Sequence, residues 1–303
     1  MVHTAEHGLS RRAIRINRWS LSVFALVALG ALGAAPPARA LPLQDTASNV
    51  ADALHNILDL RPSDTTDWRL GVGPVINPKF EGSRAYTIQP APMISVRYRD
   101  VLKVDNNQID FTAFDQVFDL GEGVGKLKLD AGPVMNLDFG RHASDSPALK
   151  GLGNIGVAVE LGGYVSVRVG RVKFDAEMSQ DIADGHHGAD LDLHSSLVLY
   201  RNDKLTIAPD IVLTWATARY MKSFFGITQT QSNASGLPVF RAGSGFKNAT
   251  LSLLGNYDLS AHWSLLANIG YKRLLGDAAA SPLIKLRGSA DQWTGGTYIV
   301  YAF

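Results

Sequence analysis

The stretch of this chain whose residue types invite chemistry runs Asp181-Ile-Ala-Asp184-Gly-His186-His187-Gly-Ala-Asp190-Leu-Asp192-Leu-His194. Paired carboxylates beside an imidazole can activate water, and a His-His-Asp cluster has the donor set for zinc. The local punctuation argues against both. Gly185 and Gly188 frame a hairpin tip, where exposed His and Asp serve solubility, whereas a metal needs about three ligands held rigidly. Gly243-Ser-Gly245 is a loop triplet and not the G-x-S-x-G of a nucleophile on a strand-to-helix turn. No catalytic, metal-binding or cofactor-binding residue is therefore expected, and no enzymatic activity.

A second set of charged residues follows a different rule. Glu160, Arg168, Lys173, Asp175, Glu177 and Asp210 stand mid-segment, on the polar parity of long period-two runs. In residues 154–169, Ile155, Val157, Val159, Leu161, Val165, Val167 and Val169 alternate with polar or small residues. Residues 126–139, 171–181, 190–200, 204–216, 246–259 and 262–274 repeat the alternation. Such runs exceed the usual soluble strand and match a tilted strand that crosses a bilayer, apolar side to lipid and polar side to the lumen. The six charged residues are thus candidates to line a lumen. The alternative is a soluble sandwich or lipocalin-like barrel with the apolar parity inside, since alternation alone does not tell inside from outside.

The connections set the strand number. Arg99-Asp100, Val169-Gly170, Arg201-Asn202-Asp203 and Ser260-Ala261 are tight turns that recur between the long loops 77–85, 140–153, 182–189, 218–245 and 276–292. If 101–105 and 108–118 are strands joined at Asn106-Asn107, short and long alternate and the total is about twelve, an even number. Ten is the fallback if 101–105 is not a strand. The expected fold is all-β, a transmembrane antiparallel barrel over residues 68–303. Its long loops would be extracellular, its short turns periplasmic, and its last strand would pair with the first.

Export fits that fold. Arg11, Arg12, Arg15 and Arg18 precede an apolar run from Trp19 to Ala35 and an Ala38-Arg39-Ala40 site, so residues 1–40 read as a cleaved signal peptide. They carry five Arg and one Glu, so the +1 of the whole chain becomes −3 beyond residue 40, with no basic stripe for nucleic acid. Residues 41–67 form a polar leader in which Val50, Leu54, Ile57 and Leu58 have the spacing of a short amphipathic helix. Cysteine is absent, so closure depends on hydrogen bonding and burial. No later stretch has the roughly 18 apolar residues of a membrane helix, so a membrane-embedded chain must be a barrel.

Two resemblances add to this reading. The end of the chain, with Tyr301 and the terminal Phe303 on one strand face, resembles the assembly signal of bacterial outer-membrane barrels, which implies the barrel-assembly machinery as a partner. More widely, the chain from Trp68 to Phe303 resembles the MipA/OmpV family of outer-membrane proteins. The motifs are Gly71-Val-Gly73-Pro74, Phe80-Glu-Gly82-Ser83, Pro90-x-Pro92, Gly140-Arg141, Leu149-x-Gly151-Leu-Gly153 and Tyr220-Met221. Phe225-Gly-Ile-Thr228, Ser235-Gly-Leu-Pro238 and Tyr271-x-Arg273-Leu-x-Gly-Asp-Ala-Ala279 complete them, with Phe80 standing where the family has Tyr. The resemblance implies the outer membrane and its lipid, no enzymatic activity, and a scaffold joining murein hydrolase and synthase. A porin-like channel or surface adhesin is the alternative.

Overall fold

The structure is a computed structural model that describes residues 66–121 and 125–303. The expected signal peptide, and the leader as far as residue 65, lie outside the described residues. Fourteen strand segments form one antiparallel sheet. They are β1 Thr66–Pro78, β2 Tyr86–Tyr98, β3 Leu102–Asp105, β4 Gln108–Phe111, β5 Phe114–Asp119, β6 Lys126–Asp138 and β7 Ala158–Val169. The rest are β8 Val172–Asp181, β9 Ala189–Leu197, β10 Tyr200–Arg201, β11 Leu205–Ala216, β12 Gly245–Asp258, β13 Trp263–Leu274 and β14 Asp291–Ala302. β4 and β5 lie end to end along β6, and β9 and β10 along β11, so fourteen segments fill twelve places. β14 pairs with β1, Val72 opposite Ile299, and closes the barrel. The tight turn at Asn106-Asn107 joins β3 to β4 and makes the number twelve, not ten.

Which parity faces inward settles the soluble alternative. On β7, Leu161 and Val165 are 51% and 48% exposed, while Glu160, Tyr164 and Ser166 of the opposite parity are buried. β1, β2 and β11 to β13 behave alike, with Val72, Ile88, Ile211, Leu251 and Ile269 exposed. An inverted pattern of this kind is stable only where the surroundings are hydrocarbon. No helix among the described residues is long and apolar enough to cross a membrane. Trp68, Tyr257 and Trp263 ring the short-turn end, where Tyr301 packs edge-on to Trp263 and Phe303. Tyr271 and Trp293, 5.1 Å apart, mark the other end of the wall. Eight residues separate Trp263 from Tyr271, roughly 20 Å of height for a strand rising ~3.3 Å per residue at a tilt of about 40°.

Strand closure explains one sequence motif. A Cβ at Gly73 would lie 1.7 Å from the carbonyl oxygen of Thr297, so only glycine lets β1 and β14 approach this closely. The strand expected over 154–169 is shorter than the alternation suggested. β7 begins at Ala158, because Ile155 bridges to Arg141 and is buried among the loops.

Candidate functional site

The long loops fold over one end of the barrel as a cap. Helix α1, Ala218–Phe225, buries Tyr220, Met221, Phe224 and Phe225, one face at i, i+1, i+4, i+5 spacing. Against it pack Phe80 from the first loop, Leu149, Leu152 and Ile155 from the loop after β6, and Leu283 and Ile284 from the last. The carbonyls at the end of α1, which have no partner within the helix, accept hydrogen bonds from Arg141 Nη1 (2.8 Å, at Phe224) and Ser281 Oγ (2.7 Å, at Phe225). Burial pushes the Arg141 guanidinium down to about 10. Helix α2, Gln229–Ser235, has a Thr228/Gln231 capping box and ends at Gly236 with φ +76°, so the Ser235-Gly-Leu-Pro238 motif is a helix stop. Arg287 reaches the carbonyls of Ala148 and Ser235, tying three loops together.

The hairpin tip that opened the sequence reading is part of this cap, and the expectation of an exposed tip is wrong for His186. The Asp181 carboxylate accepts from the backbone N–H groups of Ala183, His186 and His187 at 2.9, 2.8 and 2.7 Å, which fixes the turn. His186 is fully buried between Tyr220, 4.7 Å away ring to ring, and Phe224. A Cβ at Gly188 would lie 2.3 Å from the Tyr220 backbone nitrogen, so this glycine serves close packing rather than a free turn. His187 and Asp184 remain exposed and pair with each other at 3.3 Å. Asp190, Asp192 and His194 pass onto β9 and line the lumen.

Asp138, Glu160 and His186 bring ligand atoms within 4.8 Å of one another, the one such triad among the described residues. Its hydrogen bonding speaks for a pair. His186 Nδ1 accepts from the Gly188 N–H at 3.1 Å, which places the ring proton on Nε2, and Nε2 donates to Glu160 Oε1 at 2.8 Å. A metal would need the lone pair that this proton occupies.

Beneath the cap lies a polar cavity of about 290 Å³. Of the six charged residues singled out from the sequence, Glu160, Lys173, Asp175 and Glu177 line it. Asp210 and Arg168 face inward outside it, Asp210 buried and Arg168 within the field of Asp130 and Asp175. Lys173 Nζ pairs with Asp175 at 2.6 Å, and Glu177 accepts from Gln108 at 3.0 Å and Asn136 at 2.8 Å. Glu81, which alternation had no means of finding because it lies in a loop, bridges Lys247 and Lys272, each at 3.6 Å. Lys247 also donates to the Tyr220 hydroxyl at 3.0 Å, joining lumen to cap. Strands β1, β2 and β11 to β14 add a different interior. There Val75, Met93, Leu254, Leu266, Tyr298 and Val300 form a buried apolar cluster.

A closed barrel with an outer apolar belt, ringed by aromatics, is the architecture of the bacterial outer membrane, and this chain is an outer-membrane protein. Solved structures similar to it include a Pseudomonas aeruginosa FadL homologue (TM-score 0.33, 9% identity, 79% of this chain and 89% of that one). The NanC porin is another (TM-score 0.35, 11% identity, 78% and 98%). Among curated sequences, the MltA-interacting proteins of Escherichia coli (strain K12) and Shigella flexneri are each 27% identical over 128 residues. That match covers 42% of this chain and about half, 49%, of each relative. The family model described as "MltA-interacting protein MipA" matches residues 70–303, the cap and all of the barrel but the first four residues of β1. The motifs of the strands and of the capping loops alike fall within that span, and the chain belongs to the MltA-interacting protein MipA family.

Proposed function

We propose that this protein is a non-enzymatic scaffold that contacts murein hydrolase and synthase from the periplasmic face of the outer membrane. The observation that carries the reading is β5. All six of its residues are exposed, including Phe114, Val117 and Phe118, and it pairs with β6 on one side only among the described residues. Leu120 N–H bonds to Gly125 O, so the even-numbered residues of β5 bond to β6, while the N–H and C=O of Asp115, Val117 and Asp119 face outward from the sheet. This hairpin stands at the short-turn end, which in outer-membrane barrels faces the periplasm. A free strand edge is a template for an incoming strand, the mode by which many domains capture extended peptides. The relatives' name, MltA-interacting protein, supports a murein enzyme as the partner. The capped lumen and its apolar cluster speak against the porin-like alternative. Tyr301 and Phe303, at the end of the closing strand, are the proposed contact for the assembly machinery.

The test is capture of a murein transglycosylase by the refolded protein. Val117→Pro removes an edge N–H without touching the β6 ladder, and we expect it to lower capture at least ten-fold while heat-modifiable gel mobility stays that of the folded barrel. Capture unchanged by Val117→Pro and by removal of residues 41–65 would overturn the scaffold reading.

A further inference from the structure

The loops that build the cap carry a charge of their own. Residues 79–85, 139–157, 182–188, 217–244 and 275–290, the connections at the cap end, hold nine Lys and Arg against four Asp and Glu, a net +5 with His neutral. The chain beyond residue 40 is −3 in all, so everything else in it amounts to −8. Segregation on this scale acts on partners rather than on the fold. The four acids are spent inside the cap. Asp145 and Asp277 accept from the backbone N–H groups of His142 (2.8 Å) and Gly243 (2.7 Å), Asp184 pairs with His187, and Glu81 lies between Lys247 and Lys272. Six of the nine cations, Arg84, Lys150, Arg219, Lys222, Arg241 and Lys285, are exposed.

Bonds between loops gather part of this charge at the rim of the wall. Ser83 bridges to Gly288, and the Ser289 N–H donates to the Gly82 carbonyl at 2.8 Å, so Arg84 and the run Lys285-Leu286-Arg287 stand on paired segments. Arg287 donates to the Lys150 carbonyl at 3.3 Å and brings a third loop alongside. The Tyr86 hydroxyl accepts from the Trp293 N–H at 3.0 Å, which joins Tyr86 to the aromatic ring of Tyr271 and Trp293. Arg84 is two residues from Tyr86, just beyond this ring, where the headgroups of a bilayer begin.

One apolar residue decides the kind of partner. Leu286, between Lys285 and Arg287, is 61% exposed, although Leu283 and Ile284 of the same turn are buried in the cap. Val239, also exposed, sits in the same way two residues from Arg241. A soluble polyanion offers such side chains nothing to contact. A lipid offers both parts, a charged head for the cations and chains for the leucine, the pairing that basic and apolar residues use at membrane surfaces.

We infer that the rim formed by Arg84, Lys285 and Leu286 binds an outer-leaflet lipid whose phosphate headgroup carries net negative charge. Arg84 and Lys285 hold phosphate oxygens, Arg84 through its planar fork and Lys285 as a point charge. Leu286 lies against the top of the acyl chains, and the positive field of the cap gathers such lipids at this end of the barrel. The β5 edge is at the other end, so either reading can fail alone.

The probes are dibrominated phosphatidylglycerol and dibrominated phosphatidylcholine, which quench a nearby indole, each added at low fraction to phosphatidylcholine vesicles that hold the refolded full chain. Two variants keep one tryptophan each, Trp293 at the cap end or Trp263 at the short-turn end, with the others changed to Phe and folding checked by gel mobility. At Trp293 the brominated phosphatidylglycerol is expected to bind at least about five-fold more tightly than the brominated phosphatidylcholine, and at Trp263 the two should be equal. Arg84→Gln/Lys285→Gln should abolish the preference, and Leu286→Ser should lower it at least about two-fold. Equal quenching by both lipids at Trp293, a preference of the same size at Trp263, or a preference that survives either variant would overturn the site. Retention of the refolded protein on heparin, lost in Arg84→Gln/Lys285→Gln and with no lipid preference at Trp293, would overturn it too and give the surface to a soluble polyanion.

Discussion

The two halves of this barrel wall are built on different principles. From β11 through β14 and β1 to β2, long strands pair along nearly their whole length, and their inward side chains meet as the apolar cluster around Met93, Leu254, Leu266 and Tyr298. From β3 to β9 the described strands are shorter or interrupted, and most of the charged side chains on the strands that line the cavity, such as Asp110, Glu160, Lys173, Asp175 and Glu177, stand there. The first half holds itself together by packing, like the core of a soluble protein. The second depends on side-chain pairs and on the cap. Barrel closure thus rests on the packing of one half and the cavity's charge mostly on the other, with Lys247 of β12 and Lys272 of β13 reaching across to the charged side.

Two inward tyrosines give the sharpest way to break that comparison. Tyr298 is fully buried in the apolar half, and its hydroxyl has no partner, so its whole contribution is packing. Tyr298→Ala should destabilise the barrel by about 3–5 kcal/mol, the usual cost of an emptied aromatic site. Tyr164, on the charged half, lines the cavity and shares a 3.0 Å hydrogen bond with Thr112. Its truncation enlarges a space that already exists, so Tyr164→Ala should cost about 1–2 kcal/mol, mainly the lost hydrogen bond. Urea unfolding from lipid vesicles measures both. Equal losses would mean that the two halves are packed alike.

An intermediate effect is expected where the charged half meets the cap. His186→Ala leaves Glu160 buried without its donor and removes the ring on which Tyr220 and Phe224 rest. We expect a loss of about 2–3 kcal/mol, expressed locally as faster proteolysis within residues 217–244, while strand protection in β12 to β14 is kept. His187→Ala, on the same hairpin but exposed, should change neither. Proteolysis accelerated equally by both variants would return the tip to the solvent-exposed loop that its sequence suggests.

That hairpin shows where sequence reading stops. Period-two alternation identifies β8 or β13 because a membrane strand must sort its side chains by face, and the same rule finds Glu160, Lys173, Asp175 and Glu177. The C-terminal closing strand and the twelve places were legible for the same reason. Gly185 and Gly188 look like turn punctuation, yet Gly188 is small because α1 lies against it, and α1 is distant in sequence. Glu81, the bridge between two lysines, sits in a loop without periodicity. Long-range placement is what the chain's local pattern does not encode.

The smallest effect expected is on conductance, and it bears on the comparison most directly. If the apolar half fills its share of the lumen by packing, removing the cap should uncover the cavity without opening a through-path. Outside the cavity, Arg97, Arg168 and Asp130 lie within one another's fields, so the charged half is narrowed as well. Planar-bilayer recordings of the intact protein and of a chain lacking residues 218–244 should both stay at the membrane's baseline. Conductance that appears only in the deletion would make the cap a plug, and the apolar cluster would then be a lining and no barrier. Steady ohmic conductance from the intact protein would show that the charged half forms a pore past Tyr298, and the scaffold reading would lose its main support from the lumen.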